Sequence, residues 1–69
     1  MYRYFFHFKR GRMTVLDQEG VELADFAAAE REATLRALHI ALQHGVKSND
    51  RRTIVIADDA WRTVKEVPF

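Results

Sequence analysis

The sequence predicts a small α+β domain with the element order β-β-α-β-β. Three observations predict it: an alternating aromatic segment at the start, a long run of helix-forming residues in the middle, and a β-branched segment near the end. A chain of 69 residues accommodates one domain, which we take to span residues 1–69. We expect a four-stranded antiparallel sheet with one helix packed on one face.

The first two strands are expected to form a hairpin. Aromatic residues occupy every even position of Tyr2–Lys9, which is typical of a half-buried strand. Gly11 lies in a turn over residues 9–12, and the second strand follows at Met13–Leu16. After a bend at residues 17–20, Val21–Leu23 is predicted to continue that strand.

The helix is predicted from Phe26 to about His44, a segment rich in Ala, Leu, Glu and Arg. Asp25 is its expected N-cap and Gly45 its expected C-terminal stop, and Lys47 would stabilise the negative helix end.

The apolar part of the helix surface is wider than contact with one sheet requires. One face, which includes Ala29, Ala33 and Ala37, is predicted to pack on the sheet. A second apolar ridge lies beside Ala27, so another surface is expected to cover that ridge. Its members are Leu35, Leu38 and Leu42.

Two further strands are predicted after a loop at residues 48–50. Thr53–Ala57 is β-branched and apolar on both faces, as in a central strand, and Trp61–Val67 follows a turn. If the two most apolar strands are central, the strand order is 2-1-3-4, with 1-2-4-3 as the alternative.

Composition excludes several classes of protein. Eleven Lys and Arg against ten Asp and Glu leave a net charge of +1, so no overall charge excess demands a polyanion or a membrane surface. The absence of cysteine excludes disulfides, thiolate nucleophiles and zinc–thiolate sites. No segment approaches the ~20 apolar residues of a membrane span, and we expect a soluble, cytoplasmic protein.

Two sequence blocks resemble a family of small bacterial proteins, a domain of unknown function. Its members open with M-x-R-Y-F-F and then His or Asp, and residues 1–7 here are MYRYFFH. They continue with D-x-E-G-x-E-L-x-D, which residues 17–25 match in full, and the final VPF is also similar. The first turn, KRGR, departs from the Asp-Gly type that is frequent in the family. The resemblance implies a fold and a compartment but no mechanism.

The chemistry-bearing residues favour a non-enzymatic protein. His39 and His44 are five residues apart, on different sides of a helix, so no metal site and no cofactor are expected. Asp17, Glu19 and Glu22 could supply paired carboxylates to a small enzyme, which is the least favoured alternative. Acidic residues are also common in turns and near helix N-termini.

The topology sorts charge to opposite ends of the domain. The first turn, the end of the helix and the start of the third strand should meet at one end, which collects cations. These are Lys9, Arg10, Arg12, Lys47, Arg51 and Arg52, with Asp50 as an opposing charge among them. The other end collects Asp17, Glu19, Glu22, Asp25, Asp58 and Asp59, with Arg62 as an opposing charge. We predict that the basic end docks an anionic partner, which is a nucleic acid, an acidic protein patch or the acidic end of a second copy.

Two expectations concern partners. The favoured function is an interaction or regulatory module that forms a homodimer, because a domain this small gains stability from association. Phe5, on the sheet face without a helix, and the ridge of Leu35, Leu38 and Leu42 are the candidate interfaces. The alternative function is weak nucleic-acid binding through the basic turn and the residues after the helix.

Overall fold

The computed structural model describes residues 1–44 and 51–69. The elements are β1 (Tyr2–Arg10), β2 (Met13–Val15), β3 (Val21–Leu23), α1 (Phe26–His44), β4 (Arg52–Ala57) and β5 (Thr63–Pro68). The predicted α+β class is confirmed. The expected helix stop at Gly45, the expected role of Lys47 and the loop at residues 48–50 lie outside the described residues.

The sheet is antiparallel throughout and has the order β2-β1-β4-β5. This is the predicted order 2-1-3-4, and it excludes the alternative 1-2-4-3. The sheet has five strands rather than four because the second predicted strand is divided. β2 pairs with the end of β1, β3 pairs with its beginning, and the bend between them leaves the middle of β1 without a strand on that side.

The core lies between α1 and one face of the sheet. Tyr4 and Phe6 of β1 and Ile54 and Ile56 of β4 are buried against the helix, as the alternation of β1 predicts. The helix contributes a stripe of small residues, which lets its backbone approach the large side chains closely. The stripe consists of Ala29, Ala33 and Ala37.

Local hydrogen bonds define where α1 begins. The Asp25 carboxylate accepts a hydrogen bond from the Ala28 N–H at 2.8 Å, which confirms Asp25 as the N-cap. On the opposite side of the helix, Leu35, Leu38 and Leu42 are exposed, so the domain itself does not cover the second ridge.

The last strand begins later than predicted. Trp61 is not in β5 but in the loop after β4, with a φ of +62°. The Asp58 N–H donates to the carbonyl oxygen of Arg62 at 2.9 Å, and the Trp61 N–H donates to the carbonyl oxygen of Asp58 at 3.0 Å. These bonds close a hairpin loop of three residues, and Trp61 is its third.

The body is elongated, with principal extents of 37, 21 and 17 Å. Across residues 1–44 and 51–69, no helix combines the length and apolar character that crossing a lipid bilayer requires.

Candidate functional site

The first turn and the start of β4 meet at one end of the domain. Arg10 and Arg52 face each other across the β1–β4 pair, and the Gly11 N–H donates to the carbonyl oxygen of Arg51 at 3.0 Å. Cations about forty positions apart in sequence are therefore neighbours. We call this surface the basic end and define it by Lys9, Arg10, Arg12 and Arg51, which are all exposed.

The ion pairs of the described residues are unevenly distributed over the surface. Lys9, Arg12 and Arg51 form no ion pair within the described part of the chain. Four cations elsewhere do have carboxylate partners, whereas Arg31 on the helix forms no ion pair with a described residue. The four pairs are Arg3–Glu22, Arg36–Glu32, Arg62–Asp58 and Lys65–Glu30. Among the described residues, cations without an ion pair are therefore more frequent at the basic end than elsewhere, although the net charge of the chain is only +1.

Two of the residues predicted for this surface, Arg52 and Lys47, are not part of it as defined here. Arg52 is buried rather than exposed, because its guanidinium carbon lies 5.1 Å from the centre of the Phe69 ring. The Phe69 N–H also donates to the carbonyl oxygen of Arg52 at 2.8 Å, which holds the C-terminal residue over this side chain. Lys47 lies outside the described residues.

Asp17, the first residue of the predicted acidic block, fills the gap between β2 and β3. Its carboxylate accepts hydrogen bonds from the backbone N–H groups of Phe6 (3.1 Å), Glu19 (3.2 Å) and Gly20 (3.0 Å). Partial burial raises the pKa of Asp17, but these three donors and the charge of Arg36 outweigh burial and lower the pKa below its usual range. The carboxylate therefore acts as a fixed acceptor in the sheet.

Arg3 contacts the backbone of Glu19 and the side chain of Glu22. Arg3 donates to the carbonyl oxygen of Glu19 at 2.6 Å and pairs with the Glu22 carboxylate at 3.4 Å. Gly20 has a φ of +72°, and a Cβ there would lie 2.9 Å from the carbonyl oxygen of Tyr4. Residues 17–25 and the opening strand thus interlock through side chains and backbone.

The sheet face opposite the helix carries a stack of rings. Phe5 and His7 lie side by side with ring centres 6.4 Å apart, and Trp61 lies nearly parallel over both, at 4.6 Å and 5.3 Å. Phe5 and His7 are only 6% and 7% exposed, whereas Trp61 is 51% exposed. Trp61 therefore covers Phe5, which is one of the two candidate interfaces.

His7 is oriented by a backbone donor. Its Nδ1 accepts a hydrogen bond from the Asp17 N–H at 3.0 Å, so in the neutral ring the proton is on Nε2. His7 also lines a shallow cavity of about 240 Å³ on this face, together with Lys9, Thr14, Thr63 and Glu66. The cavity lies between the rings and the basic end, since Lys9 is two residues beyond His7 on the same face of β1.

The chain was compared with families and with individual proteins of known sequence or structure. The model of the family described as "Domain of unknown function (DUF6894)" matches residues 3–69. The chain belongs to the DUF6894 family. No curated protein and no solved structure gives a significant match to this DUF6894 chain.

Sequence reasoning missed Trp61 in this DUF6894 domain. The turn was predicted to end at Ala60 and the last strand to begin at Trp61, whereas the loop includes Trp61. The third position of a three-residue hairpin loop favours glycine, so a tryptophan there is not anticipated from turn statistics. Within residues 1–44 and 51–69, no group of three His, Asp or Glu residues is arranged to hold a metal ion.

Proposed function

We propose that this DUF6894 domain is a non-enzymatic interaction module that docks an anionic partner at its basic end. The observation that carries the proposal is the hydrogen bond between Gly11 and Arg51, which brings two cationic segments from distant parts of the chain to one surface. Clustered positive charge attracts polyanions and accelerates their association.

Binding is favoured over catalysis by the occupation of the acidic block. A general base needs a carboxylate that is accessible to a substrate proton. Asp17 instead accepts three backbone hydrogen bonds, Glu22 pairs with Arg3, and Asp25 caps the helix. These contacts give Asp17, Glu22 and Asp25 structural roles, which supports binding rather than catalysis at this block.

The proposal is tested by charge reversal with a matched control. Arg12→Glu and Arg31→Glu change the net charge equally, but Arg12 is in the basic end and Arg31 is exposed on the helix. With fluorescent heparin as a probe polyanion, we expect binding that weakens as salt concentration rises. Arg12→Glu should lower the affinity severalfold more than Arg31→Glu. Equal effects of the two substitutions, or no binding of heparin by the parent protein, would contradict the proposal.

We also propose that two copies associate through the leucine ridge of Leu35, Leu38 and Leu42. The support is spacing and exposure together: the residues are three and four positions apart, as in the seam of a helix pair, and all are exposed. Such a seam is complementary to itself, so a second copy of the helix fits it. Small domains of this size gain stability from association.

A further inference from the structure

We propose that the anionic partner is a single-stranded nucleic acid, with a base stacked on the outer face of Trp61 and phosphates following Lys9 to the basic end. The inference rests on the proposed function, since it uses the same cations. It adds a stacking site that charge alone does not indicate.

The position of Trp61 is the first argument. Its φ of +62° lies in the left-handed region, which bulky residues rarely adopt. Glycine or asparagine would occupy this loop position without strain. Strained backbone conformations that are held by their surroundings cluster at binding sites. Here the surroundings are the Asp58 hydrogen bonds to the loop and the rings beneath the indole.

The presentation of the indole is the second argument. Phe5 and His7 support one face of Trp61 at 4.6 Å and 5.3 Å between ring centres, within about 20° of parallel. With 51% of its surface exposed, the indole presents its other face to solvent. A flat, rigidly supported aromatic surface is what an unpaired base stacks on, and every base has such a face.

The line of donors along β1 is the third argument. Phe5, His7 and Lys9 follow one another on the same face, and Phe5 and Lys9 are about 13 Å apart along the strand. His7 Nε2 makes no hydrogen bond with a described residue, and its ring lines the cavity beside Lys9. A phosphate beside Trp61 would meet the Nε2–H of His7 and the ammonium of Lys9, and the next ones would meet Arg12 and Arg51.

Glu66 determines on which side of the bound nucleic acid the phosphates lie. It lines the same cavity from β5, and its carboxylate disfavours a phosphate on that side. The sugar–phosphate backbone is therefore expected along β1, with bases towards β5. A nucleic-acid duplex keeps its bases stacked in its interior, where the indole cannot reach them. An acidic peptide would use the cations but not the indole. A single-stranded nucleic acid is the partner that uses both.

Trp61 is the single tryptophan of the chain, so intrinsic fluorescence reports on it alone. The test titrates the full chain with a short oligothymidylate, with an abasic phosphodiester of the same length and with a polyglutamate peptide. We expect the oligothymidylate to quench Trp61 and to bind roughly tenfold more tightly than the abasic oligomer, the effect of one stacked base. Trp61→Leu should remove this difference, and Trp61→Phe, which keeps a ring, should retain most of it.

The outcomes separate the two proposals. If the abasic oligomer binds as tightly as the oligothymidylate, base stacking is wrong and docking at the basic end stands. If polyglutamate binds more tightly than either oligomer, the partner is an acidic protein and the nucleic-acid inference is overturned. If none of the three probes binds, the proposed function fails as well. The comparison of oligomers uses the parent protein, so it holds even if Trp61→Leu does not fold.

Discussion

Asp17 and His7 are joined by a hydrogen bond from the backbone N–H of Asp17 to Nδ1 of His7, with an N–N distance of 3.0 Å. The same aspartate accepts the backbone N–H of Phe6 through its carboxylate at 3.1 Å. The bend between β2 and β3 is thereby attached to the middle of β1 at two successive residues. The His7 ring, which packs against Trp61, is therefore held in place by the bend between β2 and β3. This hydrogen bond links the stability of the bend to the geometry of the sheet face.

Replacement of Asp17 should destabilise the domain. Asp17→Ala leaves the N–H groups of Phe6, Glu19 and Gly20 without their acceptor, and we expect a loss of about 2 kcal/mol in the free energy of unfolding. Urea denaturation followed by circular dichroism measures the loss. Asp59→Ala, which removes an equal charge from an exposed turn residue, is the control and should have an effect within about 0.5 kcal/mol. Similar losses in both variants would contradict the assigned role.

Stability should fall in acid partly because of Asp17. Its pKa is lowered in the folded state, so the folded protein binds fewer protons there than the unfolded chain. The stabilisation is complete above the unfolded pKa and is lost as the pH falls through the lower folded pKa. Asp17→Asn should flatten this part of the curve of unfolding free energy against pH. Parallel curves for the parent and Asp17→Asn would show that other groups control the acid limb.

The two glycines with positive φ should respond differently to alanine. At Gly20, with φ +72°, a Cβ would lie 2.9 Å from the Tyr4 carbonyl oxygen and 3.0 Å from side-chain atoms of Arg3 and Phe5. At Gly11, with φ +57°, a Cβ meets no atom within 4 Å. We expect Gly11→Ala to cost about 1 kcal/mol from backbone strain alone. Gly20→Ala should cost at least about 2 kcal/mol, since a contact with backbone cannot relax easily. Thermal and urea unfolding of both variants measure the difference, and equal costs would mean that the contacts at Gly20 relax.

A single charge should abolish self-association through the leucine ridge. Leu38→Glu places a carboxylate at the centre of the ridge, and we expect a monomer in sedimentation equilibrium at concentrations where the parent chain is a dimer. Leu16→Glu introduces the same charge at another exposed leucine, outside the ridge, and should leave the dimer intact. A parent chain that remains monomeric at high micromolar concentration removes the proposal.

The regular elements could be predicted because local pattern and tertiary structure agree there. The alternation of β1, the β-branched residues of β4 and the Ala-rich helix each favour the observed element. Only one order both places the two most apolar strands at the centre and pairs each strand with its neighbour across a tight turn. The separation of β2 from β3 could not be predicted in this way. It depends on hydrogen bonds between Asp17 and residues of β1 that are ten or eleven positions earlier in the sequence. Local sequence preferences do not indicate contacts of this kind.

The position of the basic end could be predicted from the sequence, but the position of Trp61 on the stacked rings could not. Antiparallel reversal at each junction places the first turn beside Arg51, so the basic end follows from topology. The burial of Arg52 does not, because its guanidinium lies over the ring of Phe69, seventeen residues later in the sequence. Trp61 was missed because its side chain contributes to a strand-like pattern while its backbone adopts a conformation that favours glycine.

The bend at Asp17 also determines how this sheet can grow. It divides one edge of the sheet into two strands of three residues each, β2 and β3, which are separated by a loop. Such fragments are poor templates for an incoming chain, because too few N–H and C=O groups lie in line. β5 offers six residues on the opposite boundary and ends at Pro68, which has no N–H to donate. A strand from another molecule would therefore pair with the sheet at β5. The pairing would be weakest near Pro68.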